Sequence, residues 1–107
     1  MLRIYPVALG CLEKIKVVLP LIKRADSDLA RQLRRAAHSM CLNTSEGMYS
    51  RGRNRQARYH TALGSSRETK ACLECALALG YVKFVDDKLM DGLDHVTGTL
   101  FKLAVER

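Results

Sequence analysis

Leu89, Leu93, Val96, Leu100 and Leu103 recur at alternating steps of four and three residues. That rhythm stacks five aliphatic side chains on one stripe of a helix, the a/d seam of a bundle, and a strand could not keep them on one face. Val7, Cys11, Ile15, Val18 and Ile22 follow the helical period near the start. Leu29, Leu33, Ala36, Met40 and Thr44 follow it again. A further segment from Arg55 to Leu79 is long enough for a helix of roughly 37 Å. No strand-like alternation, low-complexity tract or internal repeat interrupts the pattern. Short connections between such helices predict an all-α fold, an antiparallel up-down-up-down four-helix bundle, as one domain over residues 1–107.

The punctuation residues set the expected boundaries. Pro6 suits a first helical turn, so helix one is expected from about Tyr5 to Lys23, with Pro20 kinking or ending it. Asp26, Ser27 and Asp28 are cap and first-turn residues for a second helix ending near Gly47, whose Ala36 and Ala37 allow close packing. Gly47 to Arg53 reads as a loop and Asn54 as the N-cap of helix three. Gly80 reads as the C′ residue closing that helix, and helix four is expected to begin between Lys83 and Asp87 and to run to about Val105. Gly64 is expected to admit a close neighbour helix.

A chain of 107 residues without Trp, and with only 6% aromatic residues, must build an aliphatic core. Such a core is modest and gains from an oligomer interface. The longest apolar run, Val17 to Ile22, contains Pro20 and falls far short of the ~18 residues of a membrane span. With no signal sequence in view, a soluble cytoplasmic protein is expected. Cys72 and Cys75 lie one turn apart within a helical pattern, which favours reduced, buried core thiols over a disulfide or a zinc site.

Little here resembles catalytic machinery. His38, His60 and His95 fall on separate helices and no Glu-x-x-His occurs, so neither a di-iron site nor any other metal or cofactor is expected. Ser65 and Ser66 lie mid-helix, without the strand-to-helix elbow that exposes a nucleophile, and no Walker-type loop is present. The chain is expected not to be an enzyme.

Charge carries more information. The net charge is +7, and up to Leu79 there are 14 Lys/Arg against 6 Asp/Glu. Arg51, Arg53, Arg55 and Arg58 fall within eight residues that contain no acid, flanked by Tyr49 and Tyr59. Arginines neutralise phosphates and tyrosines stack on bases, so this segment is the expected nucleic-acid contact, aided by Arg31, Arg35 and Lys70. The alternative is a solvated connection whose basic charge opposes the helix dipole at a cost of a few tenths of a kcal/mol. A second group, Arg34, Asn43, Glu46, Ser65 and Glu68, reads as a structural polar network within or between subunits. Glu46 and Glu68 are expected to be partly buried and paired with Arg34 or Arg35, because each stands beside an apolar stripe.

Gln32-Leu33-Arg34-Arg35-Ala36-Ala37, then Ser39, Asn43 and Ser45-Glu46-Gly47, together with Ala62-Leu63-Gly64-Ser65, Glu68 and Leu79-Gly80-Tyr81-Val82, form a spaced set. This set resembles the bacterial four-helix-bundle family encoded by intervening sequences of large-subunit ribosomal RNA genes. It is also similar to the accessory variability proteins of diversity-generating retroelements. The resemblance implies a four-helix protomer assembling into a ring, typically a homopentamer, without enzymatic activity. For retroelement members it implies binding to nucleic acid and to a reverse transcriptase. The leading expectation is therefore a homo-oligomeric basic scaffold that binds RNA or DNA by charge and shape rather than by base readout. The alternative is a protein–protein interaction adaptor with no nucleic-acid role.

Overall fold

The computed structural model describes residues 3–105. It contains four helices, α1 (Ile4–Ala25), α2 (Ser27–Tyr49), α3 (Gly52–Ala78) and α4 (Asp87–Val105), and no strand among the described residues. α1 packs on α2 and α4, and α3 packs on α2 and α4, which closes an up-down-up-down bundle measuring 42 × 23 × 19 Å.

The stripes read from the sequence meet along the bundle axis. Ile15, Ile22, Leu33, Met40, Leu73, Leu89, Leu93, Val96 and Leu100 are fully enclosed. Burying each such side chain contributes about 1.5–3 kcal/mol. Val7, Val18, Leu29 and Leu103 are half-buried at the margin. Three buried hydroxyls interrupt this apolar interior. Thr44 donates to the Met40 carbonyl at 2.7 Å and Thr69 to the Ser65 carbonyl at 2.7 Å. Ser66 donates to the Leu63 carbonyl at 2.8 Å and meets the Thr97 hydroxyl of α4 at 3.0 Å. Each polar group therefore keeps a partner inside the core. Cys11, Cys41 and Cys72 are buried, and burial pushes the Cys41 thiol up to about 11. Cys75 is exposed, contrary to the expectation that both thiols of the pair lie in the core.

The connections are tighter than the sequence implied. Pro20 does not end α1, which continues to Ala25. The ring removes one backbone bond, but Pro20 lies on the solvent side and Ile22 anchors the next turn in the core. A single extended residue, Asp26, joins α1 to α2: its N–H donates to the Ile22 carbonyl at 2.7 Å, and its carboxylate accepts from the Leu29 N–H at 3.0 Å. The same carboxylate accepts from the Tyr81 hydroxyl at 3.2 Å, tying the α3–α4 connection to the α1–α2 turn. At the end of α3, Gly80 takes φ +76, the Gly80 N–H bonds the Leu77 carbonyl at 3.1 Å and the Tyr81 N–H bonds the Ala76 carbonyl at 2.9 Å. This is a Schellman termination, as the C′ glycine implied.

The α2–α3 connection departs most from expectation. The seven residues read as a loop shrink to Ser50 and Arg51 between the two helices. Gly47 is a buried helical residue, because the ring of Tyr59 lies where a side chain at position 47 would stand. Asn54 does not cap α3; Arg51 holds that position without a side-chain cap, and the Asn54 amide donates to the Ser50 hydroxyl at 3.2 Å. Gly64 is exposed with open space beside its backbone, so it admits no helix of the same protomer.

Gly47→Ala is expected to destabilise the protein by about 1–3 kcal/mol, the usual range for overpacking a core. A lowered urea midpoint with an unchanged denaturant slope is the expected readout.

Candidate nucleic-acid interface

The α2–α3 hairpin gathers the basic segment at one end of the bundle. Ser50 is the pivot of the turn: its hydroxyl donates to the Glu46 carbonyl at 2.7 Å, and its own carbonyl accepts from Arg55 Nε at 2.7 Å. Arg51, Arg53, Arg55 and Arg58 are all exposed, and no carboxylate occurs in the chain between Glu46 and Glu68. Two ion pairs are formed among the described residues, Arg31–Asp28 at 3.2 Å and Lys70–Asp94 at 2.7 Å, and neither involves these four arginines. The hairpin thus presents four guanidinium groups to solvent with no anion set against them.

The two tyrosines beside the arginines part company. Tyr49 is 82% exposed and is free to stack on a base. Tyr59, expected to share that role, is 3% exposed and belongs to the core, and desolvation raises its hydroxyl pKa against the opposing pull of Arg55. Arg55 stands one turn before Tyr59 on the same side of α3, but its guanidinium lies at the turn on the Ser50 carbonyl while the Tyr59 ring packs against Gly47.

The auxiliary basic residues are dispersed. Arg31 lies near the start of α2, in its pair with Asp28. Arg35 is exposed on the outer side of α2. Lys70 is held by Asp94 across the α3–α4 seam, and that hydrogen bond raises its pKa. Its charge is therefore already matched, and it is far from a free phosphate contact.

The expected polar network forms only in part. Asn43 Nδ2 donates to the Ser39 carbonyl at 2.9 Å and to the Ser39 hydroxyl at 3.1 Å. Ser65 donates to the same hydroxyl at 2.7 Å, and Arg58 reaches Asn43 Oδ1 at 3.5 Å. Ser39, absent from the residues expected in the network, is its hub; its spacing four residues before Asn43 was the available signal. Arg34, Glu46 and Glu68 do not join. All three are exposed, and among the described residues no ion pair links either carboxylate to Arg34 or Arg35. Glu46 and Glu68 neighbour the apolar stripes in sequence but turn outward, where water solvates them at little cost.

An open groove of about 600 Å³ runs along this α2–α3 face, lined by Gln32, Arg35, Ser39, Ser65, Glu68 and Cys75 among others. The described residues contain no group of three or more His, Cys, Asp or Glu able to share a metal ion. No helix among them is long and apolar enough to cross a membrane.

Ser39→Ala is expected to lower stability by about 1 kcal/mol, since Asn43 and Ser65 each lose a hydrogen-bond partner. Adding Ser65→Ala should cost little more, because the two changes remove one shared bond. Chemical denaturation of the two single variants and the double variant measures that coupling.

No curated protein and no solved structure matches the chain. A family model described as 23S rRNA-intervening sequence protein matches residues 2–102. With nearly the whole bundle inside that match, including the α2–α3 hairpin and both faces of its groove, the chain belongs to the family of 23S rRNA-intervening sequence proteins.

Proposed function

We propose that this protein is a non-enzymatic, homo-oligomeric basic scaffold that binds RNA or DNA through phosphate contacts at the α2–α3 hairpin. The observation that carries the reading is the cluster of Arg51, Arg53, Arg55 and Arg58, exposed together and unopposed by any ion pair. Neutralising phosphates releases condensed counterions, so such a cluster supplies affinity without base readout. The exposed ring of Tyr49 adds a sequence-tolerant stacking surface.

Self-association is supported by the apolar surface the protomer leaves in water. Val17, Leu42, Leu79 and Phe84 are 74%, 65%, 60% and 77% exposed. The unpaired Arg35 and Glu68 in the α2–α3 groove give a neighbouring subunit polar groups to meet. A pentameric ring, the assembly implied by the family resemblance, would repeat the arginine cluster and raise its effective concentration toward a polyanion. Such a ring is suited to hold template RNA as an accessory to a reverse transcriptase. The non-enzymatic part of the reading is supported by Ser65 and Ser66, whose hydroxyls are committed to Ser39 and to Leu63 and Thr97.

Fluorescence anisotropy with a labelled RNA across a salt series tests the reading. Arg51→Ala/Arg53→Ala/Arg55→Ala is expected to weaken binding alike on all sequences and to flatten the log–log salt slope by about two to three units. The fold should survive, because all three residues are exposed. Unchanged affinity and slope would leave the protein-adaptor reading in its place. Sedimentation at micromolar concentration is expected to give a species of about 60 kDa from the 12.0 kDa chain, and a stable monomer would remove the scaffold.

A further inference from the structure

We propose that the groove between α1 and the first turns of α2 is a second phosphate-binding site for the same nucleic acid, an inference that rests on the binding function proposed above. This groove, of about 530 Å³, is lined by Lys16 and Lys23 from α1 and by Arg31 and Arg34 from α2, over a floor that includes Leu19 and Ala30. No carboxylate lines it. Lys16 and Lys23 stand seven residues apart, which places both ammonium groups on one side of α1. Arg31 and Arg34 stand three apart on the facing helix. All four residues are exposed, and among the described residues Lys16, Lys23 and Arg34 form no ion pair.

Three acids lie nearby and none cancels the groove. Glu13, three residues before Lys16 on α1, is exposed and forms no ion pair among the described residues. Asp28 pairs with Arg31 at 3.2 Å, with both side chains largely in solvent, so a phosphate can displace it at little cost. Asp26 is occupied by the Leu29 N–H and the Tyr81 hydroxyl. Four like charges across one concave surface repel one another, and an entering phosphate relieves that repulsion while releasing its own counterions.

The position of the groove adds to its chemistry. Arg31 and Tyr49 stand 18 residues apart on α2, about 27 Å at the helical rise, so the groove and the hairpin cluster are at opposite ends of one rod. Each strand of a B-form duplex carries one phosphate per about 3.4 Å of helix axis, so about eight base-pair steps span that distance along the axis. One polyanion can therefore engage both sites of a protomer, and the second engagement becomes intramolecular.

The test compares two variants of the full chain on one labelled RNA duplex of about 20 base pairs, longer than the spacing of the two sites. The groove variant is Lys16→Gln/Lys23→Gln/Arg34→Gln. The control, Lys83→Gln/Lys88→Gln/Lys102→Gln, removes the same charge from exposed lysines elsewhere. The groove variant should bind about tenfold or more weakly at 0.1 M salt and lose about two to three units of salt slope, against less than one for the control. In the parent protein, RNA should also protect Lys16 and Lys23, but not Lys83 and Lys102, from acetylation read by mass spectrometry. That second readout needs no variant to fold. Equal losses in the groove variant and the control, or no protection of Lys16 and Lys23, overturn the groove. If the groove variant behaves as the parent while the hairpin variant loses affinity, the groove falls and the hairpin reading stands. If the parent shows no salt-sensitive RNA binding, both fall.

Discussion

The ring of Tyr59 occupies the space that a side chain at position 47 would need, and much of the molecule depends on that contact. It lets the end of α2 and the start of α3 approach closely enough for two residues to turn the chain. With α3 beginning at Gly52, Arg53, Arg55 and Arg58 ride on a rigid helix rather than on a mobile loop. Tyr59 is buried there, and Arg53, Arg55 and Arg58 around it stay exposed. The Glu46-Gly47 pair in the sequence thus has a steric cause on its second residue. A methyl group there would press on the ring, and the core beneath is too tightly packed to yield freely.

Charge is distributed by the same geometry. Carboxylates that could have quieted the arginines are elsewhere: Asp94 faces Lys70, Asp28 faces Arg31 and Asp26 closes the α1–α2 turn. The first turns of α2 and the start of α3 remain basic, and the length of α2 separates them. A basic start to α3 works against its own dipole, and the bundle bears that cost through tertiary packing.

The motif residues shared by α2 and α3 separate into two roles. Ser39, Asn43 and Ser65 bond to one another across the seam and orient Asn43 Oδ1 toward Arg58. Gln32, Arg35 and Glu68 line an open groove and leave their polar groups to solvent. The first set holds the hairpin in register. The second gives the outer face of the α2–α3 pair a polar pattern.

The sequence alone determined the helices and their inward faces. Leu33, Met40, Leu93, Val96 and Leu100 are all enclosed where their periodicity placed them, because a stripe spaced at three and four residues has only one way to leave water. Asp26 and Gly80 were equally legible, since capping and left-handed backbone are local chemistry. The tertiary structure decided the rest. Whether Gly47 ends a helix or lets a ring approach depends on Tyr59, twelve residues away in sequence and on another helix. Whether Glu46 and Glu68 are buried depends on how far each helix is rotated, and a residue at the edge of a stripe falls on either side of that line. The meeting of Lys16 and Lys23 with Arg31 and Arg34 is no property of either segment, because it exists only once α1 and α2 lie side by side.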